Sequence, residues 1–197
     1  MTQRQLQEII DFCQPCYRKT GRWHGWDHIS AVYKLATDIA KKEFPQANLK
    51  CLQAAVFIHD IGRTVQDEGH PKTSVMIIEP FLKKIKVPSE DISIILEAVT
   101  NHDGKKINQA KSVEARILFD ADKIEILTIY GFTRTWFWLV EERQMELDEA
   151  LHLLWDYYAD FRARLYSKFA KTMIERDYKL LTELVQQFDE YQTTRRQ

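Results

Sequence analysis

A chain of 197 residues with 45% apolar side chains can bury roughly 70% of the surface its unfolded form exposes, so a single domain over residues 1–197 is expected. A formal net charge of −1, with acidic and basic residues interspersed, excludes wholesale electrostatic binding to nucleic acid or to an anionic membrane. The opening residues lack a basic-then-apolar signal pattern, the apolar runs fall far short of a bilayer span, and three cysteines make no even disulfide framework; a cytoplasmic protein is expected.

Nearly every long segment repeats its apolar residues at helical spacing, and six glycines and five prolines leave room for short connections only. An all-α fold follows. The first helix is predicted from about Thr2 to Tyr17. It contains Cys13-Gln14-Pro15-Cys16, which has the spacing of a redox or zinc half-site. That pair follows a helical pattern instead of a strand and has no second pair, so packing thiols are expected. A second helix starts near Trp26 or Asp27 and runs to about Glu43, with His28, Val32, Leu35 and Ile39 on one face. A third opens at Asn48 or Pro45 and carries Leu52, Ala55, Val56 and His59 along one face. Gly62 is expected to end it with a positive φ, leaving His59 and Asp60 in the final turn.

After a loop from Arg63 to His70, Pro71 is a natural first helical residue, and the helix should run to about Lys86 with a kink at Pro80. Ser89 is the expected N-cap of the next helix, followed by Glu90 and Asp91 at the positive end of its dipole. Its stripe of Ile92, Ile95 and Val99 ends in His102. Asp103-Gly104-Lys105-Lys106 reads as a turn and a basic loop. A helix from near Ser112 places Ala115, Leu118, Asp122, Ile126 and Ile129 on one face, so a carboxylate sits in an inward stripe. From Thr133 onward aromatic residues dominate, and two long helical patterns, separated near Lys168 or continuous, close the chain. Core packing and the wall of a pocket are their expected role.

Four helices thus each end or interrupt an apolar face with a metal-capable group: His28, His59 with Asp60, His102, and Asp122. Repeated across facing helices, such polar positions imply a shared polar centre, and a metal is the economical occupant. Two imidazoles and two carboxylates suit Mn, Fe, Co, Ni or Zn better than Mg alone.

The blocks Trp26-Asp27-His28-Ile29-Ser30-Ala31-Val32, Ala54-Ala55-Val56-Phe57-Ile58-His59-Asp60-Ile61-Gly62 and Phe119-Asp120-Ala121-Asp122-Lys123-Ile124 together resemble the H…HD…D signature of the HD-domain superfamily of metal-dependent phosphohydrolases. They span residues 24 to 125 in the family's order. The resemblance implies an HD-type helical bundle with a central metal site and extra C-terminal helices over residues 130–190. It implies His28, His59, Asp60 and Asp122 as ligands of a divalent ion (Mn, Fe, Ni, Co, Zn or Mg), with Asp120 as a supporting carboxylate. The implied activity is hydrolysis of a nucleotide or other phosphoester through a metal-activated water.

One metal is the expectation, with His70 and His102 as general acid or phosphate-contacting groups. With two metals they would instead be ligands and Asp60 a bridge. His24, Arg63, Lys105 and Lys123 are candidate substrate contacts, Lys106 joining them in the basic loop. Arg63 and Thr64 stand where alarmone hydrolases carry a Glu-Asp pair, and the Gly-Tyr-Pro element of cyclic-di-GMP phosphodiesterases is missing. A small phosphorylated substrate is the expected partner, with a homodimer left open. A di-iron oxygenase and a catalytically inactive nucleotide-binding module are the alternatives.

Overall fold

The computed structural model describes residues 1–18, 24–104 and 106–195. Among these the chain is all-α, nine α-helices joined by short turns and two 3-10 segments, and no helix is long and apolar enough to cross a membrane. It forms two compact units, residues 1–122 and 123–197.

In the first unit α1 (Gln3–Tyr17) is started by a capping box: the Thr2 hydroxyl accepts from the Gln5 amide at 3.2 Å, and the Gln5 side chain accepts from the Thr2 amide at 2.9 Å. The helix buries Leu6, Ile9, Cys13 and Tyr17, so Cys13 packs as expected, and all three thiols are free. α2 (Trp26–Glu43) buries His28, Ile29, Val32 and Ile39, while Leu35 is less enclosed.

α3 (Leu49–Ile58), capped by the Asn48 side chain, buries Leu52 and every residue from Ala54 to Ile58. A helix apolar all round must be surrounded, and α3 indeed packs against α1, α2 and α5. Tyr17 braces its end, its hydroxyl donating to the Phe57 carbonyl at 2.8 Å.

The sequence places Gly62 as a left-handed helix terminator, and the structure corrects this. α3 stops at Ile58 with His59 as its C-cap, and Asp60 (φ −107°, ψ 3°) opens a 3-10 turn over Ile61–Thr64 that contains Gly62. Among the described residues the positive-φ glycine is Gly69, which caps α4 (His70–Lys84). Gly62 is needed for proximity instead. A Cβ there would lie 2.3 Å from the His70 carbonyl oxygen and 2.7 Å from the Ser74 amide nitrogen, both backbone atoms unable to step aside. The close approach lets Ser74 donate to the His59 carbonyl and accept from the Gly62 amide, each at 2.8 Å.

α4 starts one residue earlier than predicted, at His70, runs through Pro80, and ends at Lys84, before Lys86 at φ 56°. α5 (Ser89–Asn101) takes Pro88 as its N-cap, with Ser89 inside the helix; proline's fixed φ already sets the extended conformation that position requires. α6 (Val113–Leu127) ends before the predicted stripe does. Thr128 caps a new helix, α7 (Ile129–Glu141), by accepting from the Gly131 amide, which leaves Ile129 40% exposed.

The second unit contains the end of α6, α7, α8 (Leu147–Arg164) and α9 (Lys168–Arg195). Its core is aromatic: Trp155 stacks on Tyr158 and Tyr178 at centroid separations of 5.4 and 5.7 Å, and the Tyr158 hydroxyl donates to the Leu127 carbonyl.

Because the clash is backbone against backbone, Gly62→Ala should destabilise the protein by at least about 2 kcal/mol, lowering the thermal midpoint by about 4–8 °C for a chain of this size. Thermal circular dichroism reads this directly, and an unchanged midpoint would show that the approach of α4 to the turn is not constrained.

Candidate metal centre

The end of α3, the start of α2, the ends of α4 and α5 that carry His70 and His102, and the middle of α6 meet within the first unit. Asp60 is at the meeting point. His28 Nε2 lies 3.3 Å from Asp122 Oδ1 and 3.9 Å from Asp60 Oδ2, and His59 Nε2 lies 3.9 and 3.7 Å from the same two oxygens. Donors held about 2.0–2.2 Å from one cation stand roughly 3.0–4.2 Å from each other, so each of these imidazole–carboxylate separations suits a shared ion; His28, His59 and Asp122 form one compact donor group, and Asp60 belongs to two others, with His24 and His28 and with His59 and His102. All four side chains are buried.

The Asp60 carboxylate has a second side. Its Oδ1 lies 3.0 Å from His70 Nε2 and 3.8 Å from His102 Nε2, and those two nitrogens are 3.2 Å apart. Arg63 Nε stands 2.9 Å from the same oxygen, and Arg63 Nη1 reaches to 3.5 Å from Asp67 Oδ1. His24 Nδ1 is 3.3 Å from Asp60 Oδ2, with about a quarter of its side chain exposed. The candidates His24, His28, His59, Asp60, Arg63, His70, His102 and Asp122 are therefore gathered in one place.

Lys123 belongs to the second unit, where it is buried with its ammonium 5.0 Å from the centre of the Phe161 ring. Lys105 lies outside the described residues, and Lys106 is exposed. Asp120 is fully buried.

The tautomers follow from local geometry. Nδ1 of His59 faces the Val56 carbonyl at 2.8 Å, Nδ1 of His70 the Asp67 carbonyl at 2.9 Å, and Nδ1 of His102 the Val99 carbonyl at 2.7 Å. A carbonyl only accepts, so each Nδ1 carries a proton and each ring turns its Nε2 toward the centre. His59 Nε2 and Asp60 Oδ1 are buried with no aligned hydrogen bond. A buried lone pair left so is costly, and a divalent cation is the group this donor set fits.

Electrostatics agree. Burial pushes the His59 imidazole down to about 3, against the pull of Asp60, so the ring stays a neutral donor. Burial works to raise the Asp60 carboxyl, yet the permanently charged Arg63 beside it holds it well below the usual carboxylate range. His24 is lowered, chiefly by burial.

Ser74 is the supporting residue that sequence reading missed. It lies one helical turn after His70 and ties α4 to the His59–Asp60 turn; the i, i+4 spacing from His70 was the available signal.

A sequence model of the HD domain matches residues 25–127, more than half of the chain. This chain belongs to the HD-domain family. YpgQ, an uncharacterised protein of Bacillus subtilis (strain 168), is 25% identical over 135 residues, which cover 66% of this chain and 64% of YpgQ. The crystal structure of YpgQ in complex with ADP superposes with a TM-score of 0.74 at 22% identity, over 95% of this chain and 94% of that one. A Lactobacillus plantarum protein reaches a TM-score of 0.81 at 21% identity over 98% of this chain and 99% of its own. A structure described as an HD-superfamily hydrolase from Bacillus thuringiensis reaches 0.71 at 20% identity, covering 97% and 98%. At these identities the structural likenesses establish the shared fold.

The depressed His59 value makes stability depend on acid. Between 6.5, its unfolded value, and about 3 in the fold, the unfolded chain binds more protons, so stability falls as pH drops through that window. Asp60, lowered on folding, adds a loss as pH falls below the ordinary carboxylate range. The thermal midpoint of metal-stripped protein should therefore drop steadily from pH 7 to pH 4, and more shallowly in His59→Gln; parallel profiles for the two proteins would refute the assignment.

Proposed function

We propose that this chain is a metal-dependent phosphohydrolase acting on a nucleotide or related phosphoester, with His28, His59, Asp60 and Asp122 holding one divalent cation drawn from Mn, Fe, Co, Ni, Zn or Mg. The carrying observation is that the buried imidazoles of His28 and His59 each stand within 3.9 Å of both the Asp60 and the Asp122 carboxylate, with the His59 lone pair otherwise unused. When bound, the cation supplies Lewis-acid polarisation of a phosphate oxygen and a more acidic water.

The protein's own groups do the rest. Asp60 and Asp122 balance a divalent charge, and His28 and His59 complete the shell without adding charge. Arg63, about one-fifth exposed, offers a planar fork of donors suited to a phosphate. His70 and His102, each fixed through Nδ1, present Nε2 as the atom that takes up or releases a proton at the substrate. His24, more exposed than the others, lines the approach to the site. The ADP complex of YpgQ supports a nucleotide as the substrate class.

The His70–His102–Asp60 trio is the observation that favours the alternative of a di-iron oxygenase. Two irons per chain with oxygen uptake after anaerobic purification would replace the hydrolase reading.

His59→Ala and Asp60→Ala should reduce bound metal from about one per chain to near zero and lower turnover at least about a hundredfold, as loss of a ligand exceeds the 10–100-fold cost of losing a supporting contact. Elemental analysis and a screen of nucleotides and phosphomonoesters with each metal test both; metal-dependent hydrolysis retained by either variant would defeat the ligand assignment.

A further inference from the structure

Asp60 Oδ1 is the most contested atom in the cluster. It faces His70 Nε2 at 3.0 Å and His102 Nε2 at 3.8 Å, and those nitrogens face each other at 3.2 Å. Since both Nδ1 atoms are committed to main-chain carbonyls, each ring turns its Nε2 toward the other ring and toward an anionic oxygen. A buried anionic oxygen so enclosed needs positive charge beside it. The structure supplies it from the side: Arg63, one 3-10 turn beyond Asp60, brings Nε to 2.9 Å from Oδ1. A guanidinium is permanently charged. Its contact with Oδ1 is an ion pair without hydrogen-bond alignment, and Asp67 stands 3.5 Å from Nη1 as a second resting place.

We propose that Arg63 sets the metal count of this centre: its guanidinium provides at Asp60 Oδ1 the charge a second divalent cation would provide, so the His70–His102–Asp60 position fills far more weakly than the His28–His59–Asp60–Asp122 position. The inference rests on the metal centre proposed above. Two cations sharing one carboxylate oxygen repel at short range, so filling the second position requires Arg63 to move toward Asp67. Neutralising Arg63 removes that competition while leaving all the donor atoms in place.

The test is Mn²⁺ binding to metal-stripped protein, read by calorimetry and by electron paramagnetic resonance. Wild type should take up one Mn²⁺ tightly and a second at least tenfold more weakly. Arg63→Met should tighten the second event at least tenfold, keep the first within about threefold, and give the spectrum of a spin-coupled pair; the unchanged first event also reports an intact fold. Arg63→Lys, which keeps a charge, should behave like wild type. Adding His102→Ala to Arg63→Met should abolish the gain.

The proposal is overturned if wild type fills both positions with equal affinity, if Arg63→Met leaves the second affinity unchanged, or if the gain survives His102→Ala. Absence of any Mn²⁺ uptake by wild type would instead bring down the metal centre itself.

Discussion

The buried carboxylate of Asp60 is the constraint around which the first unit is arranged. Six nitrogens, from His24, His28, His59, Arg63, His70 and His102, lie within 3.9 Å of its two oxygens. An isolated buried anion would be expelled or neutralised by a proton. Here the surrounding groups keep it ionised, and the helices that carry them are held in place by apolar packing around α3, which buries every residue from Ala54 to Ile58.

Packing and chemistry are joined at the turn after α3. Because His59, the C-cap of α3, keeps helical backbone angles while Asp60 has left them, two adjacent residues direct their polar atoms to one centre from different backbone conformations. The missing side chain of Gly62 lets α4 approach, Ser74 secures the contact, and α4 thereby delivers His70. Rigid backbone bonds to Nδ1 fix three of the imidazoles, which gives the site its preorganisation.

The cluster has two faces that share Asp60. One contains His28, His59 and Asp122; the other contains His70, His102 and Arg63. This arrangement brings two candidate donor groups within a few ångströms of each other, with Arg63 beside the Asp60 oxygen that faces the second.

The sequence by itself determined the all-α fold, through uniform helical spacing, and the identity of the metal-capable residues, because His28, His59, His102 and Asp122 fall on apolar faces where polar groups are costly. It also carried the motif order that the HD-domain match bears out. Tertiary structure alone decided what depends on proximity between distant segments. Gly62 is required by the backbone of α4 eight and twelve residues on and not by its own φ, α6 ends where the Thr128 cap forms despite a periodicity that continues to Ile129, and Arg63 is turned inward onto Asp60. Local spacing reports which face of a helix a residue occupies; only the packed helices determine which oxygen it meets.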